Sequence, residues 1–138
     1  MKTILFVCIE NSCRSQMAEG FARSLGEGLW HAYSAGSRPS GVVNPTAVMV
    51  MKEIGIDITS YDSKGFDDLP VKKFDLVVTL GCGDQCPFVP ADQHIDWKIP
   101  DPKNKDLAFF RDVRDLISQH IKQLAEDMKK GDSDATTF

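Results

Sequence analysis

Residues 4–15 read Ile4-Leu5-Phe6-Val7-Cys8-Ile9-Glu10-Asn11-Ser12-Cys13-Arg14-Ser15: an apolar run ending on a cysteine, a polar turn, then an arginine where a helical pattern opens. A strand over Ile4–Val7 would deliver Cys8 to the carboxyl edge of a sheet. A helix opening near Ser15 would aim its unpaired backbone N–H groups at the same point, and such a helix start favours an anion. Arg14 adds a planar fork of donors that can grip two oxygens of a phosphate-like group at once, which lysine cannot do. The same positive surroundings favour the thiolate of Cys8, the reactive form of the side chain. Glu10, Asn11, Ser12, Cys13, Arg14 and Ser15 are therefore the candidate anion-binding residues. Glu10 should turn its carboxylate outward, because an inward one would repel both anion and thiolate. Ser15 is placed either to donate to the Cys8 sulfur or to cap the helix. The plainer alternative is a buried core cysteine beside a surface arginine.

The 138 residues, 42% of them hydrophobic, suffice for one domain with a real core. Apolar runs of strand length alternate with helical patterns, which predicts an α/β domain of parallel strands joined by crossover helices. Strands are expected near 3–7, 29–34, 74–79 and 94–97. The first helix should run from about Ser15 to Leu25, with Met17, Phe21, Ala22 and Leu25 facing inward. Asn44-Pro45 reads as an N-cap and first helical position for a second helix that reaches Ile54 before Gly55. The last helix, about Lys105 to Lys129, should bury Phe109, Val113, Leu116, Ile117, Ile121, Leu124 and Met128. That makes residues 1–130 the domain and residues 131–138 a flexible tail.

Sixteen basic against twenty acidic residues leave a net charge of −4, with no basic field for nucleic acid or an anionic membrane. Ile4–Val7 is far shorter than a membrane span or a signal-peptide core, so a cytosolic location is expected. Cytosolic thiols are kept reduced, and four cysteines there point to catalysis, redox exchange or metal.

Two further segments carry chemistry. Leu80-Gly81-Cys82-Gly83-Asp84-Gln85-Cys86-Pro87 follows the run Leu76–Thr79 and puts two thiols at the edge where ligands bind in open parallel sheets. On a regular helix, residues four apart have Cβ atoms ~5–6 Å apart, whereas a disulfide wants about 3.5–4.5 Å. Joining Cys82 to Cys86 therefore implies unwinding, and Gly81 and Gly83 suggest a mobile segment with the freedom for it. A zinc site from Cys8, Cys13, Cys82 and Cys86 is the competing reading, although zinc ligands usually come in closer pairs. In Trp97-Lys98-Ile99-Pro100-Asp101-Pro102, Asp101 sits in a proline-stiffened loop. It is the candidate acid for an oxygen leaving group, against the plainer reading of Asp-Pro as a turn.

Val7-Cys8-(x5)-Arg14-Ser15, Tyr33-Ser34-Ala35-Gly36 and Asp101-Pro102 together make the chain resemble the low-molecular-weight protein tyrosine phosphatase superfamily. The stretch from Asn11 to Gly20, with Val77-Val78-Thr79-Leu80 and the thiols after it, resembles that superfamily's thioredoxin-coupled arsenate reductases. The resemblance implies a four-stranded parallel sheet flanked by helices and no cofactor. It implies a relay in which Cys8 attacks arsenate and Asp101 protonates the departing oxygen. Cys82 then attacks the Cys8 sulfur, releasing arsenite, and Cys86 displaces Cys8 to leave a Cys82–Cys86 disulfide. Thioredoxin or a related thiol reductant would reset that disulfide. Phosphate or sulfate would mimic the substrate, and the chain is expected to act as a monomer. Some members hold a potassium ion beside the loop; here Asn11 and Ser34 match, but Lys64 falls where the acid would be, so its ammonium is expected in place of the ion. Cys13 reads as a loop filler, with a fallback partner for Cys8 against overoxidation as the alternative.

The nearest rival is a phosphotyrosine phosphatase that uses the same Cys8, Arg14 and Asp101 but hydrolyses a phosphocysteine. Such enzymes commonly place aromatic residues just past the acid, and here Pro102-Lys103-Asn104-Lys105 follows. Weak phosphatase activity is still expected as a side reaction. A non-catalytic thiol or zinc module that senses redox state is the third reading, and it would keep its role without Asp101.

Overall fold

The computed structural model describes residues 2–26, 28–81 and 88–136. Four strands, β1 (Lys2–Cys8), β2 (Trp30–Gly36), β3 (Phe74–Thr79) and β4 (Ala91–Asp96), alternate with three helices, α1 (Arg14–Leu25), α2 (Pro45–Lys52) and α3 (Leu107–Thr136). They form one parallel sheet in the order β2-β1-β3-β4. β1 therefore lies between neighbours reached by connections running in opposite directions, and its carboxyl end is the switch point where open parallel sheets bind ligands. The register pairs Cys8 with Gly36 and Val7 with Thr79, so the ends of β1, β2 and β3 meet at one edge.

β1 is apolar on both sides because both of its faces are covered. Ile4, Phe6 and Cys8 join a core with Met17 and Phe21 of α1, Val50 and Met51 of α2, and Phe110, Val113, Ile117 and Ile121 of α3. Leu5 and Val7 face the other way, onto Leu69, Phe74, Val77 and Val89. That second face is roofed partly by the segment around a 3-10 turn at Phe66–Asp68, which hydrophobic periodicity does not announce.

The elements differ from expectation at their ends. β4 begins at Ala91 rather than near residue 94, and Asp92, Gln93, His94 and Asp96 are exposed. It is an edge strand held by backbone pairing, and polar side chains blunt such edges. α2 stops at Lys52, and Ile54 is left exposed before Gly55 turns the chain at φ +84°. Asn44 does cap α2, its side chain accepting from the Thr46 and Ala47 amides. α1 starts at Arg14 with Cys13 at the cap position, so Ser15 lies inside the helix and its hydroxyl is released from capping. α3 starts at Leu107 and continues past Lys129 to Thr136. One glycine costs a helix only about 1 kcal/mol, and Gly131 does not stop this one.

Candidate active site

The turn between β1 and α1 is organised by where its carbonyls go. Cys8 O accepts from the Ser37 amide at 3.4 Å, Ile9 O from Arg38 at 2.8 Å and Ser12 O from Asn44 at 3.0 Å. Glu10 O accepts from the Ser40 amide at 3.0 Å and the Ser63 hydroxyl at 2.9 Å, and Asn11 O from Gln16 Nε2 at 3.1 Å. Every carbonyl from Cys8 to Ser12 is thus drawn outward, toward the β2–α2 connection, residues 63–64 or α1. In a planar trans peptide the N–H points opposite to the C=O, so the amides that follow turn inward. Those of Ile9 to Cys13 have no acceptor among the described residues. A ring of inward amides without partners costs free energy until an anion takes them up.

Asn11 makes the turn possible. It sits at φ 50°, in the left-handed region that asparagine tolerates better than most residues, and it is fully buried. Its Oδ1 accepts from Gln16 Nε2 and the Lys64 amide, and its Nδ2 donates to Ser15 Oγ at 2.8 Å. With one lone pair occupied by Asn11, the Ser15 hydroxyl is free to donate to Cys8 Sγ, 2.8 Å away. Gly36 packs against the turn's back: a Cβ there would stand 2.5 Å from Ile9 O and 2.7 Å from Asn11 N.

Arg14 is buried. Its Nη1 donates to Leu80 O at 2.7 Å and Ile99 O at 3.1 Å, tying the ends of two separate loops to the turn. Arg14 lines the cavity, with Nη2 3.8 Å from Asp101 Oδ2. Gly81 is demanded by this contact, since at φ +87° its missing Cβ would sit 3.0 Å from Arg14 Nη1 and 2.9 Å from Ile99 O. Asp101 is half exposed, its Oδ1 accepting from the Lys103 amide at 3.0 Å. The walls of the cavity between them carry Cys8, Glu10, Arg14, Asp101 and Lys103, around about 50 Å³. One water needs roughly 10–15 Å³, so the space suits one small anion.

The Glu10 carboxylate sits at the rim, partly exposed, and is met by Lys103 Nζ at 2.6 Å. That bond raises the Lys103 pKa. Burial pushes the Cys13 thiol up to about 12, with the Asp101 and Cys8 charges adding to the effect, so Cys13 stays protonated at neutral pH. Cys82 and Cys86 lie outside the described residues.

Ser34 and Lys64 do meet, but around a residue the sequence reading passed over. Glu19, buried, accepts from the Ser34 hydroxyl at 2.6 Å and pairs with Lys64 at 3.7 Å and Arg23 at 2.9 Å. Glu19 lies between the inward-facing Met17 and Phe21, with Arg23 four residues on; a carboxylate so close to a helix's inward stripe is the signal that could have found it. Gln16, buried and holding both Asn11 and the Asp62 carbonyl, was missed for the same reason.

A cysteine facing inward amides, an arginine fork and a carboxyl group across a small cavity, all at the switch point of a parallel sheet, define an enzyme class that works on tetrahedral oxyanions through sulfur. The model of the family described as low molecular weight phosphotyrosine protein phosphatase matches residues 3–134, and the chain belongs to that family. It is 46% identical over 126 residues to arsenate reductase 2 of Staphylococcus saprophyticus, covering 88% of this chain and 95% of that one. It is 42% identical over 127 residues to the glutaredoxin arsenate reductase of a Synechocystis species, covering 90% and 96%. A solved structure described as an arsenate reductase in the phosphate binding state superposes with a TM-score of 0.83 at 38% identity, covering 93% of this chain and 99% of that chain.

Proposed function

We propose that the chain reduces arsenate to arsenite. The observation that carries this reading is the ring of inward amides around Cys8, closed by Arg14: it accepts a tetrahedral oxyanion and holds it against a nucleophilic sulfur. Relatives 46% and 42% identical to this chain carry the arsenate reductase name. In the proposed reaction the Cys8 thiolate attacks arsenic(V), and one oxygen departs with a proton from Asp101. Ser15 stabilises the thiolate and Arg14 the oxyanion. Cys82 then attacks Cys8 Sγ: the S–S bond forms, the S–As bond breaks, and its electron pair stays on arsenic, which leaves as arsenite. Two thiols have lost two electrons and arsenic has gained them. Cys86 displaces Cys8 and leaves a Cys82–Cys86 disulfide for a thiol reductant, thioredoxin on the family resemblance. Lys64 supports the loop through its amide on Asn11 Oδ1, and Glu19 ties Lys64 to Ser34. Cys8, Arg14 and Asp101 all come from one chain, so a monomer suffices. No helix among the described residues is long and apolar enough to cross a membrane, and a relay of free thiols fits the reducing cytoplasm.

The test measures arsenate reduction with thioredoxin or glutaredoxin, alongside aryl phosphate hydrolysis. Cys8→Ser should lose both activities, and Asp101→Ala should lower both by about 10² or more. Cys82→Ser and Cys86→Ser should lose multiple-turnover reduction and keep slow hydrolysis. Full arsenate turnover by both relay variants would sink the relay, and turnover by Cys8→Ser would sink the whole reading.

A further inference from the structure

We infer that Lys103 sets the anion affinity of this site by cancelling the charge of Glu10, and so is a binding residue of the reaction; the inference rests on the reading of the cavity as an oxyanion site. Glu10 is an odd residue for such a loop. Its backbone cannot move away, because its carbonyl is held by Ser40 N at 3.0 Å and Ser63 Oγ at 2.9 Å. Its carboxylate remains at the cavity rim, where Lys103 Nζ reaches it at 2.6 Å. The Lys103 amide at the same time donates to Asp101 Oδ1 at 3.0 Å, so the residue that neutralises the rim is fastened to the loop of the acid.

The charges around the cavity make the pairing necessary. Arg14 and Lys103 are the cations lining it; against them stand the Asp101 and Glu10 carboxylates, beside the Cys8 sulfur. Without Lys103 an incoming anion would meet an uncompensated carboxylate at the entrance. The two side chains are 49% and 32% exposed, and ion pairs that open to water add little to stability. A role as a fold staple is therefore a poor account of a contact this close, whereas its position at the mouth bears directly on what enters.

Charge cancellation makes a prediction with opposite signs. Inorganic phosphate binding to the reduced, full-length protein is measured by calorimetry at low and high salt. Lys103→Ala should weaken binding about three- to fivefold at low ionic strength, and Glu10→Gln should tighten it by a similar factor, as expected for one charge some ångströms away in a watery site. The Glu10→Gln/Lys103→Ala double variant should return to within about twofold of the parent, and Lys103→Arg should keep parental affinity. All differences should shrink above roughly 0.5 M salt, where screening reaches the rim. A structural strap would instead make both single variants weaker, with no rescue in the double and no salt dependence. That result, or no change in any variant, overturns the inference while parental phosphate binding and arsenate turnover stand. A parent that binds no phosphate overturns the inference together with the oxyanion reading.

Discussion

At the scale of single residues, the site depends less on the reactive side chains than on the atoms that aim them. Cys8 comes at the end of a strand, but its surroundings are made by Asn11, which turns the loop in the left-handed region, and by Gly36, which lets the loop lie flat on β2. Gly36 gives the sharper prediction. A methyl group there would overlap Ile9 O and Asn11 N, both backbone atoms with no rotamer to yield. Gly36→Ala should therefore displace the loop, costing about 1–3 kcal/mol of stability as overpacking does. Arsenate reduction should fall at least tenfold, since misplacement by about 1 Å can cost 10² in rate. Thermal melts and initial rates check this, and a variant with parental values for both would refute the account of the loop. Of these residues the sequence made Cys8, Arg14, Ser15 and Asp101 legible, because their chemistry is written in their side chains. The outward pull of the carbonyls was not legible. It is exerted mostly by main-chain amides of Ser37, Arg38, Ser40 and Asn44, joined by Ser63 Oγ and Gln16 Nε2, and a backbone amide carries no residue signature.

At the scale of elements, the strand-turn-helix unit was readable because a continuous apolar run gives way, across a short polar turn, to apolar residues at helical spacing. β4 was read only in part, since an edge strand needs little apolar surface, and the 3-10 turn at Phe66–Asp68 has too few residues to show any period. The contact that locks β1 onto β3 was equally hidden. Thr3 N donates to Asp75 Oδ2 at 2.6 Å, and Asp75 N donates to Thr3 Oγ1 at 3.1 Å, a reciprocal bridge near the amino ends of the two central strands. The Thr3 amide holds the Asp75 carboxyl below its usual pKa. A carboxylate with a lowered native pKa stabilises the fold above its unfolded value of about 3.9 and loses that contribution as pH falls through the native value. Asp75→Asn should therefore be less stable than the parent by about 1 kcal/mol at pH 7. The gap should narrow below about pH 4, as the parent's carboxylate protonates. Urea melts at pH 7, 5 and 3 follow it; a gap that widens toward acid would reverse the sign and the argument.

At the scale of the whole molecule, the site stores a demand that the fold alone does not meet. Three segments far apart in sequence, the turn after β1, Leu80 and Ile99, are joined through Arg14, and the inward amides they surround have no acceptor among the described residues. An anion that satisfies them binds the native chain and not the unfolded one, so it must raise the melting temperature by mass action. At a hundred times its dissociation constant, phosphate should add about 2.7 kcal/mol, which for a domain of this size is roughly 10 °C. Chloride at matched ionic strength should do little, because a single spherical charge cannot span the amides and the guanidinium fork. Arg14→Lys keeps the charge but loses the fork, and should retain less than half of the phosphate effect. Differential scanning calorimetry across a phosphate series decides the matter. Equal stabilisation by chloride, or an undiminished phosphate effect in Arg14→Lys, would mean that general screening rather than a built oxyanion site accounts for the shift.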